Sequence, residues 1–188
     1  QRAQHASRTA FAWRRQLDES SMTTVTRTQV VQAAREWVDT PFHHQARLKG
    51  VGVDCVGLVI GISRELGLCE PNFDVAAYPR TPDGRSLMRQ ADGLMTRVQA
   101  GSDLRCGQVL VVALGGEPQH MGILGDYRHG GLSLIHAAAA RPGRVIETRL
   151  VFGHRMKFVA AFELPGVVDD DSESSLSWNC CAWPGVTR

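Results

Sequence analysis

A change in sequence periodicity near residue 107 is the feature that most constrains the fold of this 188-residue chain. Before that point, apolar residues recur at helical spacing. After it, short runs rich in Val, Ile and Leu alternate with turns that contain Gly or Pro. Helices followed by an antiparallel meander are typical of an α+β domain, not of a parallel sheet with interleaved helices. The length predicts one domain.

Two amphipathic helices are predicted in the N-terminal half. The first spans residues 28–38 with Thr28 as its N-cap, and it ends before Pro41, because the residue preceding a proline avoids the helical conformation. The second spans about residues 86–98 and is expected to lie on the surface.

Between them, a third helix begins after Asp54 and closes at Gly67, which supplies the left-handed conformation of a helix C-terminus. This helix is apolar nearly all round and should therefore be buried. Gly57 and Gly61 share one of its faces, which would let another backbone approach closely.

The second half predicts a five- to six-stranded antiparallel sheet, with five strands at residues 108–114, 120–125, 132–138, 145–150 and 158–164.

Both ends of the chain are polar or charged and lack periodicity. We predict a flexible N-terminal arm at residues 1–25, the folded domain at 26–164 and a flexible tail at 165–188.

Composition and charge exclude several classes of function. A net charge of +2 with scattered basic residues does not predict nucleic-acid binding. No apolar stretch is long enough to span a membrane, and no apolar region of a secretion signal follows the basic N-terminus. The sequence gives no reason to expect a cofactor.

One of the five cysteines has unusual neighbours. Cys55 follows Asp54, a good N-cap, and so lies in the first turn of the buried helix. The helix dipole and free N–H groups there are expected to lower the pKa of the thiol and to stabilise an oxyanion. The alternative is that Cys55 is a small core hydrophobe.

A base for Cys55 is expected in the hairpin formed by the second and third strands. A turn centred near Arg128 would place His120 directly opposite His136, with their Cβ atoms about 5 Å apart on one face. A slip by one residue would separate them. In this arrangement His120 accepts the Cys55 proton and His136 fixes the tautomer of His120.

Weaker candidates precede the cysteine helix. His44 and Gln45 could line the cleft, with Gln45 as an oxyanion donor, or could simply belong to a polar loop that positions Cys55. Zinc binding by His43, His44 and Cys55 is not favoured, because no zinc-site spacing is present.

Three motifs in this order resemble the NlpC/P60 papain-like cysteine peptidases, and more closely the cell-wall peptidases of phage tails and gene transfer agents. They are Asp54-Cys55-Val56-Gly57-Leu58, His120-Met121-Gly122-Ile123-Leu124 and Ile135-His136-Ala137, and the similarity covers residues 26–164. Two upstream segments contribute, Thr40-Pro41-Phe42-His43-His44-Gln45 and Lys49-Gly50-Val51-Gly52.

The resemblance implies a papain-like fold, with helices and a helix-terminal cysteine packed on an antiparallel sheet. It also implies a Cys55–His120–His136 triad that hydrolyses peptidoglycan stem peptides, typically after a D-γ-glutamyl residue. Phe42 stands where many members have tyrosine, and Val56 where many have serine. We expect Phe42, His44 and Gln45 to contact substrate, and the Phe42 difference to alter the subsite.

The leading hypothesis is a peptidoglycan endopeptidase carried in a phage-like tail tip, with tail tip or hub proteins as partners. Such a protein would be assembled in the bacterial cytoplasm and would act in the cell wall and periplasm of a recipient cell. An amidase or acyltransferase on the same fold, or a mainly structural tail-tip subunit, are the alternatives.

Overall fold

The computed structural model describes residues 24–75, 78–80 and 83–170. Within these ranges it confirms the α+β prediction. The helices are α1 (Arg27–Arg35), α2 (Cys55–Glu65) and α3 (Gly84–Leu94). None of the helices in these ranges is both long and apolar enough to cross a bilayer.

Ten strands in the described ranges form one large sheet and two small ones. They are β1 (Val25–Thr26), β2 (Arg47–Leu48), β3 (Gly52–Val53), β4 (Thr96–Arg97), β5 (Val109–Leu114), β6 (Glu117–Asp126), β7 (Leu132–Ala137), β8 (Val145–Arg149), β9 (Met156–Glu163) and β10 (Val167–Val168). The large sheet is antiparallel with the order β4-β9-β5-β6-β7-β8. All five strands predicted from the sequence are present, but the meander covers only β5 to β8, because β9 returns to the free edge of β5.

The predicted N-cap of α1 is wrong by two residues. Thr26, not Thr28, caps the helix: its hydroxyl accepts from the N–H of Gln29 at 3.3 Å, and the Gln29 side chain accepts from the N–H of Thr26 at 2.8 Å. This reciprocal pair satisfies two backbone donors at once, which a cap at Thr28 would not do.

Helix α2 is buried as predicted, from Val56 to Ser63. A Cβ atom at Gly57 would collide with the carbonyl oxygen of Ala46, so this glycine does admit another backbone. At Gly61 the close neighbour is instead the ring of Trp37. Helix α2 is therefore held tightly against both the 40–50 segment and the end of α1.

Helix α3 begins and ends earlier than predicted. Asp83 caps it, and it stops at Leu94, so that residues 96–97 are free to pair with β9 as an edge strand. Leu87 and Ala91 form its buried face.

The large sheet has two apolar faces. The face toward the helices carries Val109, Val111, Met121, Ile123, Ile135 and Phe162. The other face carries a smaller cluster of Leu110, Val112, Leu124, Leu134, Leu150 and Ala161. His120 is the fourth residue of β6, next to Met121, and it pairs with Val112 of β5.

The folded part extends beyond both predicted boundaries. Val25 pairs with Val167 in a parallel two-stranded sheet, and Asp169 binds Arg105 at 2.9 Å. Residues 165–170 are therefore part of the domain, because β10 and the acidic residues after it dock on β1 and neighbouring arginines. The rest of the predicted arm and tail, including Cys180 and Cys181, lies outside the described residues.

Candidate active site

Cys55 is the first residue of α2 and is half-buried. Asp54 places it there, because the Asp54 carboxylate caps the helix by accepting from the N–H of Gly57 at 2.8 Å. The backbone N–H groups of Val56 and of Met121 on β6 form hydrogen bonds to the Cys55 sulfur. Sγ therefore lies where the start of α2 meets the strand that carries His120.

The predicted lowering of the Cys55 pKa is wrong. Burial raises the pKa of this thiol to about 11, and the negative charge of Asp54 raises it further, whereas the N–H groups of Met121 and Val56 only partly oppose them. Desolvation thus outweighs the helix terminus. Cys55 is a neutral thiol at neutral pH in the resting protein, and a base must remove its proton as it reacts.

The two histidines of the hairpin are in direct contact. Nε2 of His120 lies 2.8 Å from Nδ1 of His136, with the rings edge to face. Both side chains are buried, with 8% and 9% of their surface exposed. Burial and the neighbouring His136 lower the pKa of His120 to about 3, and burial lowers the pKa of His136. Both rings are therefore neutral, and one must donate to the other.

This contact determines which ring nitrogen of His120 can act as the base. Because Nε2 is engaged with His136, Nδ1 is the nitrogen left to act on a neighbouring thiol. In the described part of the chain no hydrogen bond joins the Cys55 sulfur to the His120 ring; the contact of Cys55 with β6 is through the N–H of Met121. The Cys55 sulfur therefore lies beside the backbone that joins His120 to Met121.

The predicted register of the hairpin is wrong by two residues, yet its consequence holds. The pairing runs from Asp126–Leu132 to Ile123–Ile135, where it ends. The same register extended by one residue brings Gly122, not His120, opposite His136, and the two Cβ positions would lie 2.9 Å apart. Because side chains alternate with a period of two, an even shift keeps both histidines on one face. They meet as diagonal neighbours, which long side chains can reach.

Gly122 is a site residue that the sequence analysis did not single out. A Cβ atom at this position would lie 2.6 Å from the carbonyl oxygen of Ile135 and 2.9 Å from Cβ of His136. The missing side chain therefore leaves the room that lets His136 lean across the ladder toward His120. The sequence shows His120-Met121-Gly122, but the role of Gly122 depends on the strand register, which the sequence did not predict correctly.

Asp54 is the centre of a second polar cluster behind the cysteine. Its buried carboxylate accepts from the hydroxyl of Tyr78 at 2.7 Å and from the N–H of Gln45 at 2.6 Å, and it lies 3.4 Å from the guanidinium of Arg47. His44 is 3.5 Å away. The expected role of Asp54 as a cap is present, but the same carboxylate also joins two segments, residues 44–47 and the loop that carries Tyr78, to the start of α2.

Tyr78 was missed entirely by the sequence analysis. Burial, and then the hydrogen bond to Asp54, raise its pKa well above the usual range, so its hydroxyl remains a donor. Tyr78 is 24 residues from Asp54 in sequence, with α2 and the loop after it in between, and no spacing rule links the two. The sequence shows only that the loop contains a tyrosine, which does not predict a contact with Asp54.

The three predicted substrate-binding residues lie upstream of the cysteine in different settings. Phe42 bridges to Val53 and packs partly on the core. His44 contacts the Tyr78 ring edge to face. The amide of Gln45 donates to the carbonyl of Tyr78 at 2.6 Å, so it holds the neighbouring loop, and its role as an oxyanion donor stays a prediction.

Two other titratable residues, Asp126 and Cys69, take no part in these contacts. Asp126, at the far end of β6, pairs with Arg35 at 3.0 Å. Cys69 is buried, and burial raises its pKa to about 11. Among the described residues, no group of three or more His, Cys, Asp or Glu side chains is arranged to hold a metal ion.

No protein-family model matches this chain, and neither does any curated protein. Among solved structures, it is similar to the NlpC/p60 domain of the peptidoglycan hydrolase SagA, with a TM-score of 0.49 and 17% identity over 74% of this chain and 99% of that one. An N-acetylmuramoyl-L-alanine amidase from Bacteroides uniformis ATCC 8492 gives a TM-score of 0.46 and 9% identity, over 73% and 98% of the two chains.

Proposed function

We propose that this chain is a cysteine hydrolase that cleaves peptide bonds in the stem peptides of bacterial peptidoglycan. Cys55 is the nucleophile, His120 the general base and acid, and His136 the residue that orients His120. The observation that carries the proposal is the buried His120–His136 contact of 2.8 Å on the strand whose Met121 N–H points at the Cys55 sulfur. A structural cysteine in a core needs no such pair of histidines.

The neutral resting state dictates the first chemical step. As Sγ of Cys55 attacks the scissile carbonyl carbon, its proton passes to Nδ1 of His120, and the carbonyl becomes a tetrahedral oxyanion. The positive charge on His120 is then stabilised by Nδ1 of His136, which accepts from its Nε2–H. Backbone N–H groups at the start of α2 are suited to stabilise the oxyanion.

The second half returns the enzyme to its starting state. The tetrahedral adduct collapses, the C–N bond breaks, and His120 gives its proton to the leaving amine. A thioester on Cys55 remains. His120 then takes a proton from water as the hydroxyl adds to the thioester, and it returns that proton to the leaving sulfur as the carboxylic acid is released.

Peptidoglycan as the substrate is supported by the sequence motifs around Cys55, His120 and His136, which resemble those of NlpC/P60 peptidases. Carriage in a phage-like tail tip, with tail proteins as partners and the wall of a recipient cell as the site of action, is part of the same proposal. That part is supported by the upstream motifs at residues 40–45 and 49–52.

The decisive experiment is digestion of purified peptidoglycan by the full chain, with released fragments identified by mass spectrometry. New amine ends within the stem peptide are expected. Cys55→Ala should release nothing. Cys69→Ala is the matched control, since it removes another thiol whose pKa is raised to about 11 but which lies outside the histidine site. Identical fragments from wild type and Cys55→Ala, or none from either, would refute the proposal.

The same digestion separates the alternatives. Stem peptides released whole from the glycan would show an amidase in place of an endopeptidase. For the tail, mass spectrometry of purified particles should detect this chain together with tail-tip proteins; its absence from particles would remove that part of the proposal. A chain that is present in particles but releases no fragments would be the structural subunit.

A further inference from the structure

An open cleft of about 520 Å³ lies at the end of the β6–β7 hairpin that is remote from His120. Its lining comes from α1, the end of β6, the hairpin turn and β8, and consists of Arg35, Asp126, Tyr127, Arg128 and Glu147. Asp126 and His120 are six residues apart in one strand, which is a separation of about 20 Å. The cleft is therefore distinct from the candidate active site, and its volume is typical of a small-ligand site.

Ion pairs hold the polar lining of this cleft in a fixed arrangement. The guanidinium of Arg35 donates to both carboxylate oxygens of Glu147, at 3.1 and 2.9 Å, and it lies 3.0 Å from the carboxylate of Asp126. The hydroxyl of Ser133 also donates to Glu147, at 2.6 Å. Side chains that are already ordered lose little conformational entropy when a ligand binds, so this part of the lining is preorganised.

The hairpin turn adds polar groups that are available to a ligand. In the described part of the chain, neither the Tyr127 hydroxyl nor the Arg128 guanidinium has a hydrogen-bond or ion-pair partner. The Tyr127 ring itself is held in place, because the guanidinium of Arg149 lies 5.9 Å from its centre and the His129 ring packs edge to face at 5.7 Å. The cleft thus offers a positioned phenol and an unpaired guanidinium beside the ordered ion pairs.

The charges of the lining cancel at neutral pH. Arg35 and Arg128 carry two positive charges, and Asp126 and Glu147 carry two negative ones. A site without net charge favours neither an anion nor a cation. An apolar ligand would remove water from these charged groups without replacing its hydrogen bonds. The lining therefore suits a neutral ligand that is rich in hydroxyl and amide groups.

We infer that this cleft binds the N-acetylated sugars of a glycan strand and so anchors the enzyme to the polymer whose peptides it cuts. The inference rests on the proposed function, because peptidoglycan supplies such sugars beside every stem peptide. Sugar hydroxyls can donate to the carboxylates of Asp126 and Glu147, and an N-acetyl carbonyl can accept from the Tyr127 hydroxyl. Anchoring raises the local concentration of stem peptides around Cys55 without altering the chemical step.

An NMR titration of the full chain tests the binding directly. The probe is chitotetraose, an uncharged tetramer of N-acetylglucosamine, and inorganic phosphate is the anionic comparison. Chitotetraose should shift the backbone amide signals of Tyr127 and Arg128 in a saturable way, whereas phosphate should leave them in place. Tyr127→Phe should weaken the binding about two- to tenfold, as expected for the loss of one hydrogen bond.

Two substrates separate anchoring from catalysis. With sonicated peptidoglycan, Arg128→Ala should raise KM by at least about threefold and leave kcat unchanged, because it removes binding that is equal in the ground state and the transition state. With a synthetic stem peptide that carries no sugar, Arg128→Ala should match wild type. Arg89→Ala is the matched control, since it removes an exposed arginine of α3 that is not part of the cleft.

The inference is wrong if chitotetraose causes no saturable shift at Tyr127 or Arg128, or if phosphate shifts the same signals more strongly. An equal loss of activity on both substrates in Arg128→Ala would also contradict it. The hydrolase proposal is judged separately. Chitotetraose binding without fragment release would keep the glycan site and reject the hydrolase, whereas fragment release without chitotetraose binding would keep the hydrolase and reject the glycan site.

Discussion

Nε2 of His120 and Nδ1 of His136 are 2.8 Å apart although the two residues are not cross-strand partners. They lie on a diagonal of the β6–β7 ladder, and Gly122 occupies the position directly opposite His136. The absence of a side chain at Gly122 is what allows one imidazole to lean toward the other. The geometry of the site therefore depends on a residue that takes no part in the chemistry.

Gly122→Ala is expected to abolish most of the hydrolytic activity while leaving a folded protein. Its Cβ would lie 2.6 Å from the carbonyl oxygen of Ile135 and 2.9 Å from Cβ of His136, so the strand or His136 must shift. Such overpacking costs about 1–3 kcal/mol of folding free energy. Urea unfolding measures the cost, and fragment release from peptidoglycan measures the activity.

Gly93→Ala is the control for this substitution. No atom lies within 4 Å of a Cβ built at Gly93, which is on the exposed face of α3. Replacing glycine by alanine within a helix should stabilise it by about 0.5–1 kcal/mol without touching the site. If both variants retain full activity, Gly122 is not needed for the placement of His136.

The hairpin also shows how far sequence reasoning reaches. Alternation predicted that the two histidines share a face, because a period of two survives any even error in register. The register itself was missed because Gly130 and Gly131 both adopt positive φ, which moves the centre of the turn from Arg128 to His129. Sequence periodicity therefore predicts which side chains share a face of the sheet, but it does not predict where the hairpin turn is centred.

Two further differences between the sequence predictions and the structure are caused by residues distant in the sequence. The pKa of Cys55 was predicted from the helix terminus alone, whereas the structure adds burial by elements distant in sequence, and burial dominates. Tyr78 reaches Asp54 only through the fold of a loop with no periodicity. The strands and α2 were predictable because their signals lie within about ten residues; these contacts were not.

The thiol of Cys55 should react slowly with iodoacetamide at neutral pH, and the rate should rise as the pH approaches 11. The reason is that its pKa is raised to about 11, so that little thiolate is present at pH 7. Measurement by intact mass between pH 5 and 11, with Cys55→Ala as the blank, gives the curve. Fast alkylation already at pH 5–6 would instead show a preformed thiolate–imidazolium pair.

Asp54→Asn tests whether the charge of Asp54 contributes to the raised pKa of Cys55. Since the Asp54 carboxylate contributes to the raised pKa of Cys55, its neutralisation should move the alkylation curve to lower pH. Asp126→Asn, at the far end of β6, is a matched change of charge that should leave the curve in place. A curve that does not move in Asp54→Asn would assign the raised pKa to burial alone.

The buried histidines should make the folded protein sensitive to acid. His120 has its pKa lowered to about 3, below the value near 6.5 expected in the unfolded chain, and His136 is shifted in the same direction. Between these values the unfolded state binds more protons, so stability is full above about pH 6.5 and falls as the pH approaches 3. One such group gives a slope of up to about 1.4 kcal/mol per pH unit.

Urea unfolding at pH 7, 6, 5 and 4 tests this sensitivity. His120→Gln removes the buried titrating ring and should show a shallower loss of stability than wild type. His129→Gln changes an exposed histidine in the turn of the same hairpin and should follow the wild-type curve. Equal slopes for His120→Gln and wild type would mean that His120 does not resist protonation in the folded state.

The Asp54 cluster predicts a graded loss of stability. Asp54→Ala removes the cap of α2 and leaves the Tyr78 hydroxyl and the Arg47 guanidinium without their buried acceptor, at a cost of about 3 kcal/mol or more. Tyr78→Phe removes a single donor and should cost about 1–2 kcal/mol. Tyr127→Phe, in the turn at the distant end of the hairpin, should change stability by less than about 0.5 kcal/mol. A Tyr78→Phe variant as stable as Tyr127→Phe would show that the loop does not depend on Asp54.

The last prediction concerns where the domain ends. A chain that stops at residue 164 loses the pairing of Val167 with Val25, and it also loses Asp170, whose carboxylate accepts from the N–H of Thr28 at 3.3 Å at the start of α1. Exposure of the buried Val25 and loss of an anion at a helix N-terminus should together cost about 2 kcal/mol relative to a chain that stops at residue 170. Urea unfolding of the two truncated chains measures the difference, and Asp170→Ala in the longer chain isolates the part due to the Asp170 carboxylate. Equal stability of the two chains would restore the boundary at 164 that the sequence predicts, and would mean that β1 and β10 contribute nothing to the fold.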